Sequence, residues 1–159
     1  MRTIFTDRDG KPIYVLGLQA HNSSNGCWEM IDSAIDAVKQ YHGNTLEVPV
    51  YWYQLEPEEG VYDLSQVEEL ILRVRASGLK LIILWFGSSK NSDMTYVPEW
   101  VKADPDRFWM AVAPDGEVTP QISPFCTACY EADKAAFVEM MKAIRRIDEQ
   151  ERTVIAVQV

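Results

Sequence analysis

The chain has 159 residues, 47% of them apolar, and a net charge of −9 from 15 Lys and Arg against 24 Asp and Glu. This composition supports a packed core, and its acidity leaves no clustered cations for nucleic acid or an anionic membrane, so neither is expected as a partner. No apolar run reaches the ~18–20 residues of a membrane-spanning helix. The start, Met1-Arg2-Thr3-Ile4-Phe5-Thr6-Asp7, has no long apolar segment of the signal-peptide kind, so cytoplasmic residence is the expectation.

Apolar runs alternate with helical patterns along the whole chain. Ile13-Tyr14-Val15-Leu16-Gly17-Leu18 reads as a buried first strand, with a short piece near Ile4-Phe5 pairing to it through an Asp9-Gly10 turn. Trp28, Ile31, Ile35 and Val38 mark one face of a helix, and His42-Gly43 supplies its stop, with Gly43 suited to a left-handed cap. The second strand is Thr45–Tyr51, although Pro49 cannot donate to a ladder. The second helix starts at Asp63, with Gln66 placed as in a capping box, shows Leu64, Val67, Leu70, Ile71 and Val74 on its apolar face, and ends at Gly78.

Leu79–Phe86 is the third strand. An irregular stretch from Gly87 to Pro124 follows, with a short helical piece at Glu99-Trp100-Val101 and a hairpin at Pro114-Asp115-Gly116. Connections of that length inside compact domains are usually functional. The third helix runs from about Glu131 to Asp148 with Phe137, Met141, Ile144 and Ile147 inward, and Thr153–Val159 is a fourth strand. The β-α-β-α-β-α-β order predicts an α/β fold with a parallel sheet: an open doubly wound sheet, or the first four β/α units of a (β/α)₈ barrel, which is typically about 250 residues long.

In either architecture ligands bind at the carboxyl ends of the strands. The segments there are Gln19 to Asn25, Trp52 to Pro57 and Gly87 to Asn91, rich in amides, hydroxyls and aromatics. Sugars require that mixture of planar polar groups and flat apolar faces. Each residue also has a plain structural role open to it. Asn22 and Ser23 suit a cap or turn, Trp52 and Trp85 suit a core, Glu56 suits a pairing with a cation or loop amides, and Lys90 suits solvent. His21 is a lone histidine.

The three cysteines, Cys27, Cys126 and Cys129, are too few and odd in number for a disulfide framework. Cys126-x-x-Cys129 lacks the second ligand pair of a structural zinc, so no metal is expected. No glycine-rich nucleotide motif follows a strand and no nucleophile elbow is present, so no cofactor is expected either.

Taken together the strand-end motifs resemble a bacterial branch of glycoside hydrolase family 35, related to the family 42 β-galactosidases. Leu16-Gly17-Leu18-Gln19-Ala20-His21-Asn22-Ser23-Ser24 resembles the first-strand motif. Pro49-Val50-Tyr51-Trp52-Tyr53-Gln54-Leu55-Glu56-Pro57-Glu58-Glu59-Gly60-Val61-Tyr62-Asp63 is similar to a Trp-x-x-x-Glu-Pro-x-x-Gly-x-Tyr-Asp signature. Leu84-Trp85-Phe86-Gly87-Ser88-Ser89-Lys90-Asn91 and Val97-Pro98-Glu99-Trp100-Val101-Lys102 resemble the third-strand region, and Val154-Ile155-Ala156-Val157-Gln158-Val159 the run leading into Glu-Asn-Glu. Gln19 stands where a glutamate is common in the branch, and Ser89 where a tryptophan is frequent.

The resemblance implies residues 1–159 as the N-terminal part of a barrel that hydrolyses terminal β-galactosides with retention, using two carboxyls roughly 5–5.5 Å apart. Both catalytic glutamates would lie beyond Val159, so no residue of this chain is assigned a catalytic role and the chain alone is expected to be inactive. Asn22 and Glu56 would bond sugar hydroxyls, Trp52 and Trp85 would shape or stack the pocket, and Lys90 would hold its loop or reach a hydroxyl. A non-catalytic sugar-binding or relic α/β fragment is the alternative, and a stand-alone doubly wound domain with an unrelated small ligand is a third. An unpaired last strand and an open apolar face predict self-association of the isolated chain.

Overall fold

A computed structural model describes residues 5–91 and 93–159. The element order is β1 (Gly17–Gln19), α1 (Trp28–Gln40), β2 (Thr45–Tyr51), α2 (Trp52–Leu55), α3 (Ser65–Ala76), β3 (Lys80–Phe86), α4 (Glu99–Lys102), β4 (Met110–Val112), β5 (Val118–Ile122), α5 (Thr127–Asp148) and β6 (Val154–Gln158), with a 3₁₀ turn at Ser24–Gly26. The chain forms two compact units: Met1–Val50, Ser65–Leu84 and Ala143–Val159 make the first, and Tyr51–Leu64 with Trp85–Lys142 the second.

The first unit is built on a four-stranded sheet of order β1-β2-β3-β6. β1 pairs parallel with β2, Lys80 N–H donates to Asn44 O at 2.8 Å to join the starts of β2 and β3, and β3 pairs parallel with β6. Strands that follow one another across the sheet without a reversal of order make the barrel-type arrangement, since a doubly wound sheet switches direction about its first strand. The fold class is therefore α/β with the first four β/α units of a barrel, and the sheet is open, with β1 and β6 at its edges.

β2 and β3 are central, and their near-continuous apolar sequences are almost wholly buried. Pro49 is accommodated because the β1 ladder ends at the Gln19–Glu47 pair. Beyond it the neighbouring segment offers a side chain, Asn25 Nδ2, which donates to Pro49 O at 2.8 Å. The expected buried first strand is shorter than its sequence suggests. Only Gly17–Gln19 forms a strand and all three residues are exposed, with Tyr14 and Leu16 also exposed, because an edge strand has a neighbour on one side only. The preceding turn forms as expected: Ile13 N–H donates to Phe5 O at 3.0 Å, Thr6 bridges Pro12, and Gly10 has φ +79°. Ile4 lies outside the described residues.

α1 buries Ile31, Ile35 and Val38 as its periodicity requires, while Trp28 is half-buried under the Arg73 guanidinium, 4.7 Å from its ring centroid. The residue with positive φ after α1 is His42, at 56°, and not Gly43. Gly43 is required for closeness instead, because a Cβ there would meet Val38 Cγ1 at 2.8 Å and Leu16 O at 2.9 Å. α3 buries Val67, Leu70, Ile71 and Val74 and is followed by Gly78 at φ +79°. The helix starts at Ser65, two residues after the expected Asp63; Gln66 Nε2 donates to Asn25 O at 2.8 Å and Asp63 N–H to Leu55 O at 2.8 Å.

The join from α5 to β6 is fixed by Asp148, 3% exposed, which accepts from Arg75 at 2.8 Å, Thr153 N–H at 3.0 Å and Val154 N–H at 2.6 Å. A buried carboxylate held by a guanidinium and two amides is compensated for its lost hydration.

The second unit organises the long irregular stretch. It contains the β4–β5 hairpin, closed at Gly116 with φ +90° and Ala113 N–H to Glu117 O at 2.8 Å, as the Pro114-Asp115-Gly116 pattern requires. Its interior holds Trp52, Leu55, Phe86, Val97, Val101, Phe108, Cys126, Cys129, Ala136 and Met140. α5 starts at Thr127, four residues ahead of the expected Glu131, and its buried face is rotated from the expected one. Ala136, Met140, Ala143 and Ile144 are buried, whereas Met141 is exposed and Phe137 and Ile147 are half-buried.

Candidate functional site

Chemistry in a parallel α/β sheet collects where the strands end, because the loops there are free of the ladder. The first unit supplies one such segment, after β1. Asn22 sits half-buried in the turn that leads to Ser24–Gly26. His21 Nδ1 and Ser23 Oγ lie 3.0 Å apart in the same turn, so His21 is tied locally. α1 begins after Cys27 with no side-chain cap, so neither Asn22 nor Ser23 caps it. The polar residue sunk deepest in this turn is Asn25, 2% exposed, which links the turn to β2 and α3 through Pro49 and Gln66.

The second unit holds the segments that follow β2 and β3. Trp52 opens α2 directly at the end of β2, is fully buried, and donates from Nε1 to Glu56 Oε2 at 2.7 Å. The i,i+4 spacing of these two residues puts them on one helix face. Glu56 Oε1 accepts Gly60 N–H at 2.8 Å, and Trp100 Nε1 donates to the Glu56 carbonyl at 3.1 Å. Burial, followed by the charges of Glu56 and Glu139, holds the Tyr62 phenol above the ordinary range. The Trp-x-x-x-Glu-Pro-x-x-Gly part of the pattern thus bonds to itself: Glu56, 3% exposed, gathers the indole and the turn at Gly60 (φ +75°).

A cavity of about 280 Å³ borders this cluster, lined by Glu56, Glu59, Gly60, Tyr62, Trp100, Arg107 and the Ala128, Glu131, Ala132 and Ala135 face of α5. Glu56 is the sequence-derived candidate among them; Trp52, Trp85 and Lys90 do not line it. Arg107 forks onto Glu59 at 2.7 and 3.0 Å, which holds the Glu59 carboxyl below its ordinary range. Both partners are exposed, so the pair contributes little to stability.

Trp85 is buried near the end of β3, meets Phe137 edge-on at 5.9 Å, and donates from Nε1 to Asp133 Oδ1 at 2.7 Å. The other Asp133 oxygen accepts Ser88 N–H at 2.8 Å. A Cβ on Gly87 would lie 2.5 Å from both Asp133 oxygens and from Trp85 Nε1, so only glycine lets α5 hold the strand exit this closely. Asp133 escaped the sequence reading because it lies 48 residues from Trp85 in an ordinary helical pattern. Lys90 stands beyond, in a turn bridged to Asp93, with Nζ 4.3 Å from the centre of the Phe86 ring.

Phe86 and Tyr51 end β3 and β2, and Tyr53 and Tyr96 pack with them in an aromatic cluster that sequence reasoning left out. The cysteine pair is buried. Cys126 Sγ lies 3.5 Å from Arg107 O, and burial pushes the Cys129 thiol up to about 12. Among the described residues no group of three or more His, Cys, Asp or Glu side chains is placed to hold a metal ion, and no helix is long and apolar enough to cross a membrane.

No protein-family model matches the chain, and no curated protein matches it significantly. Solved structures do. The catalytic domain of β-amylase from Paenibacillus polymyxa aligns with a TM-score of 0.60 at 16% identity, over 82% of this chain and 34% of that one. GH5_18 from Bifidobacterium longum subsp. longum aligns with 0.57 at 13% identity, over 89% and 32%. A β-glucosidase from Exiguobacterium marinum aligns with 0.50 at 14% identity, over 85% and 25%. At these identities the likeness is one of fold, and the chain spans between a quarter and about a third of the length of each structure.

Proposed function

We propose that this chain forms the N-terminal part of the catalytic barrel of a retaining glycoside hydrolase that acts on terminal β-galactosides. The single observation carrying the reading is the sequential order β1-β2-β3-β6 in a fold that aligns with part of three solved proteins named as a β-amylase, a β-glucosidase and a GH5_18 protein. The resemblance of the strand-end motifs to the β-galactosidase branch adds the sugar and the stereochemistry. Residues outside these 159 supply the acid/base and the nucleophile in this reading.

Within the second unit, Lys90 is a sugar-contacting candidate, and in the first unit Asn22 is a separate one. Glu56 and Trp52 act as positioning residues for the loop after β2, because both Glu56 oxygens already accept protein donors. Trp85 shapes the exit of β3 from its bond to Asp133. The second reading is a sugar-binding domain without hydrolysis, since no residue of these 159 is assigned a catalytic role.

The test is hydrolysis of aryl β-galactosides by the full-length protein carrying this chain, with the anomer of the first-formed sugar read by proton NMR. Release of β-galactose, faster than glucose from the matching β-glucoside, is the expected outcome. Inverted product would sink the retaining mechanism. Sugar binding without turnover would leave the second reading in its place.

A further inference from the structure

We infer that the aromatic stack at the carboxyl ends of β2 and β3, with Tyr53 as its outer ring and Tyr96 and Lys90 at its margin, is a stacking subsite for a pyranose ring. The inference deepens the proposed function and rests on it for the identity of the sugar. The platform begins with Tyr51 and Phe86, the last residues of their strands, 2% and 1% exposed, with ring centroids 6.0 Å apart. Tyr96 lies nearly parallel to Tyr51, at 4.8 Å and 15°, and meets Phe86 at 4.9 Å. Tyr53 lies flat on Tyr51, at 5.6 Å and 5°.

The backbone fastens this arrangement. Tyr53 sits in the first turn of α2, where an amide has no partner within its own helix, and its N–H donates to Tyr96 O at 3.0 Å. Tyr53 is therefore a ring held in a fixed plane on a buried base, yet it is 38% exposed. Among the described residues it stacks on one ring only, whereas Tyr51 and Tyr96 each meet at least two.

A half-exposed aromatic ring on a buried base, with an ammonium over another ring of the same cluster, matches a pyranose, which has an apolar C–H face and a polar rim. Lys90 Nζ lies over Phe86, the ring that Tyr96 also meets.

The experiment compares wild type, Tyr53→Ala and Tyr53→Phe in the full-length protein. Binding of methyl β-D-galactopyranoside is measured by titration calorimetry, and KM and kcat on an aryl β-galactoside. Tyr53→Ala is expected to weaken binding and raise KM by ~10-fold, the weight of one aromatic face, with kcat unchanged. Tyr53→Phe keeps the face and the affinity. Tyr53→Leu, which retains apolar bulk without a flat ring, replaces the alanine variant if that one unfolds, and the same loss is expected. Undiminished binding in a folded Tyr53→Ala overturns the subsite, as does a wild type that binds no galactoside. Binding that depends on Tyr53 in a protein that hydrolyses nothing supports the subsite and removes the glycosidase reading alone.

Discussion

Glu56 is held on both carboxylate oxygens by its own segment. Its carboxylate receives an indole N–H on one oxygen and a backbone N–H on the other, which fixes its orientation and leaves further lone pairs for another donor. Glu56→Gln replaces one acceptor oxygen by an NH₂ group, which then faces either Trp52 Nε1 or Gly60 N–H donor to donor. An unsatisfied buried donor costs about 1–3 kcal/mol, and that loss is expected in urea unfolding of the variant. Unchanged stability with weakened galactoside binding would instead make Glu56 a sugar ligand. Asp133 is the counterpart after β3, where one carboxylate orients Trp85 and the Ser88 amide at once.

At the scale of elements, α5 separates what periodicity can and cannot give. A stripe at three- and four-residue spacing exists in both readings, but Ala136 and Ala143 carry it inward, and alanine's small apolar area marks a buried face less strongly than a large side chain does. Choosing the large apolar residues instead rotates the face onto Met141. Met140 has no exposed surface, so Met140→Ala removes packed atoms and is expected to cost about 2–5 kcal/mol. Met141→Ala, at a 38% exposed position, is expected to stay near ~0.5 kcal/mol. Thermal and urea melts of the pair distinguish the two faces, and an equal loss in both variants would contradict the burial described for α5.

At the scale of the whole molecule, the sheet presents two edges, and the β1 edge carries Tyr14 at 86%, Leu16 at 53% and Leu18 at 37% exposure. Unpaired strand edges beside apolar side chains recruit further strands. We therefore expect the 159-residue chain, isolated, to associate with itself in a concentration-dependent way in light scattering. Tyr14→Lys with Leu16→Lys is expected to suppress that association by placing like charges on the edge. A monodisperse monomer that melts cooperatively would count against the half-barrel reading.

By itself the sequence determined the alternation of strands and helices, the buried centre formed by β2 and β3, the buried face of α3 and the hairpin at Gly116. Each follows from local periodicity or backbone conformation, which neighbouring residues carry. It also marked the strand ends as the place for chemistry and named Trp52, Glu56, Trp85 and Lys90 there. Only the tertiary structure decided how those residues are engaged. Trp52 and Glu56 bond to each other, a link their i,i+4 spacing permitted but did not require, while Trp85 bonds to Asp133 across 48 positions of chain. Gly43 and Gly87 are glycines because other segments approach them, and Tyr53, Tyr96 and Phe86 form one cluster because two strand ends and a loop meet. Contacts of this kind join residues whose local sequences carry no mark of one another, so they become visible only once the chain has folded.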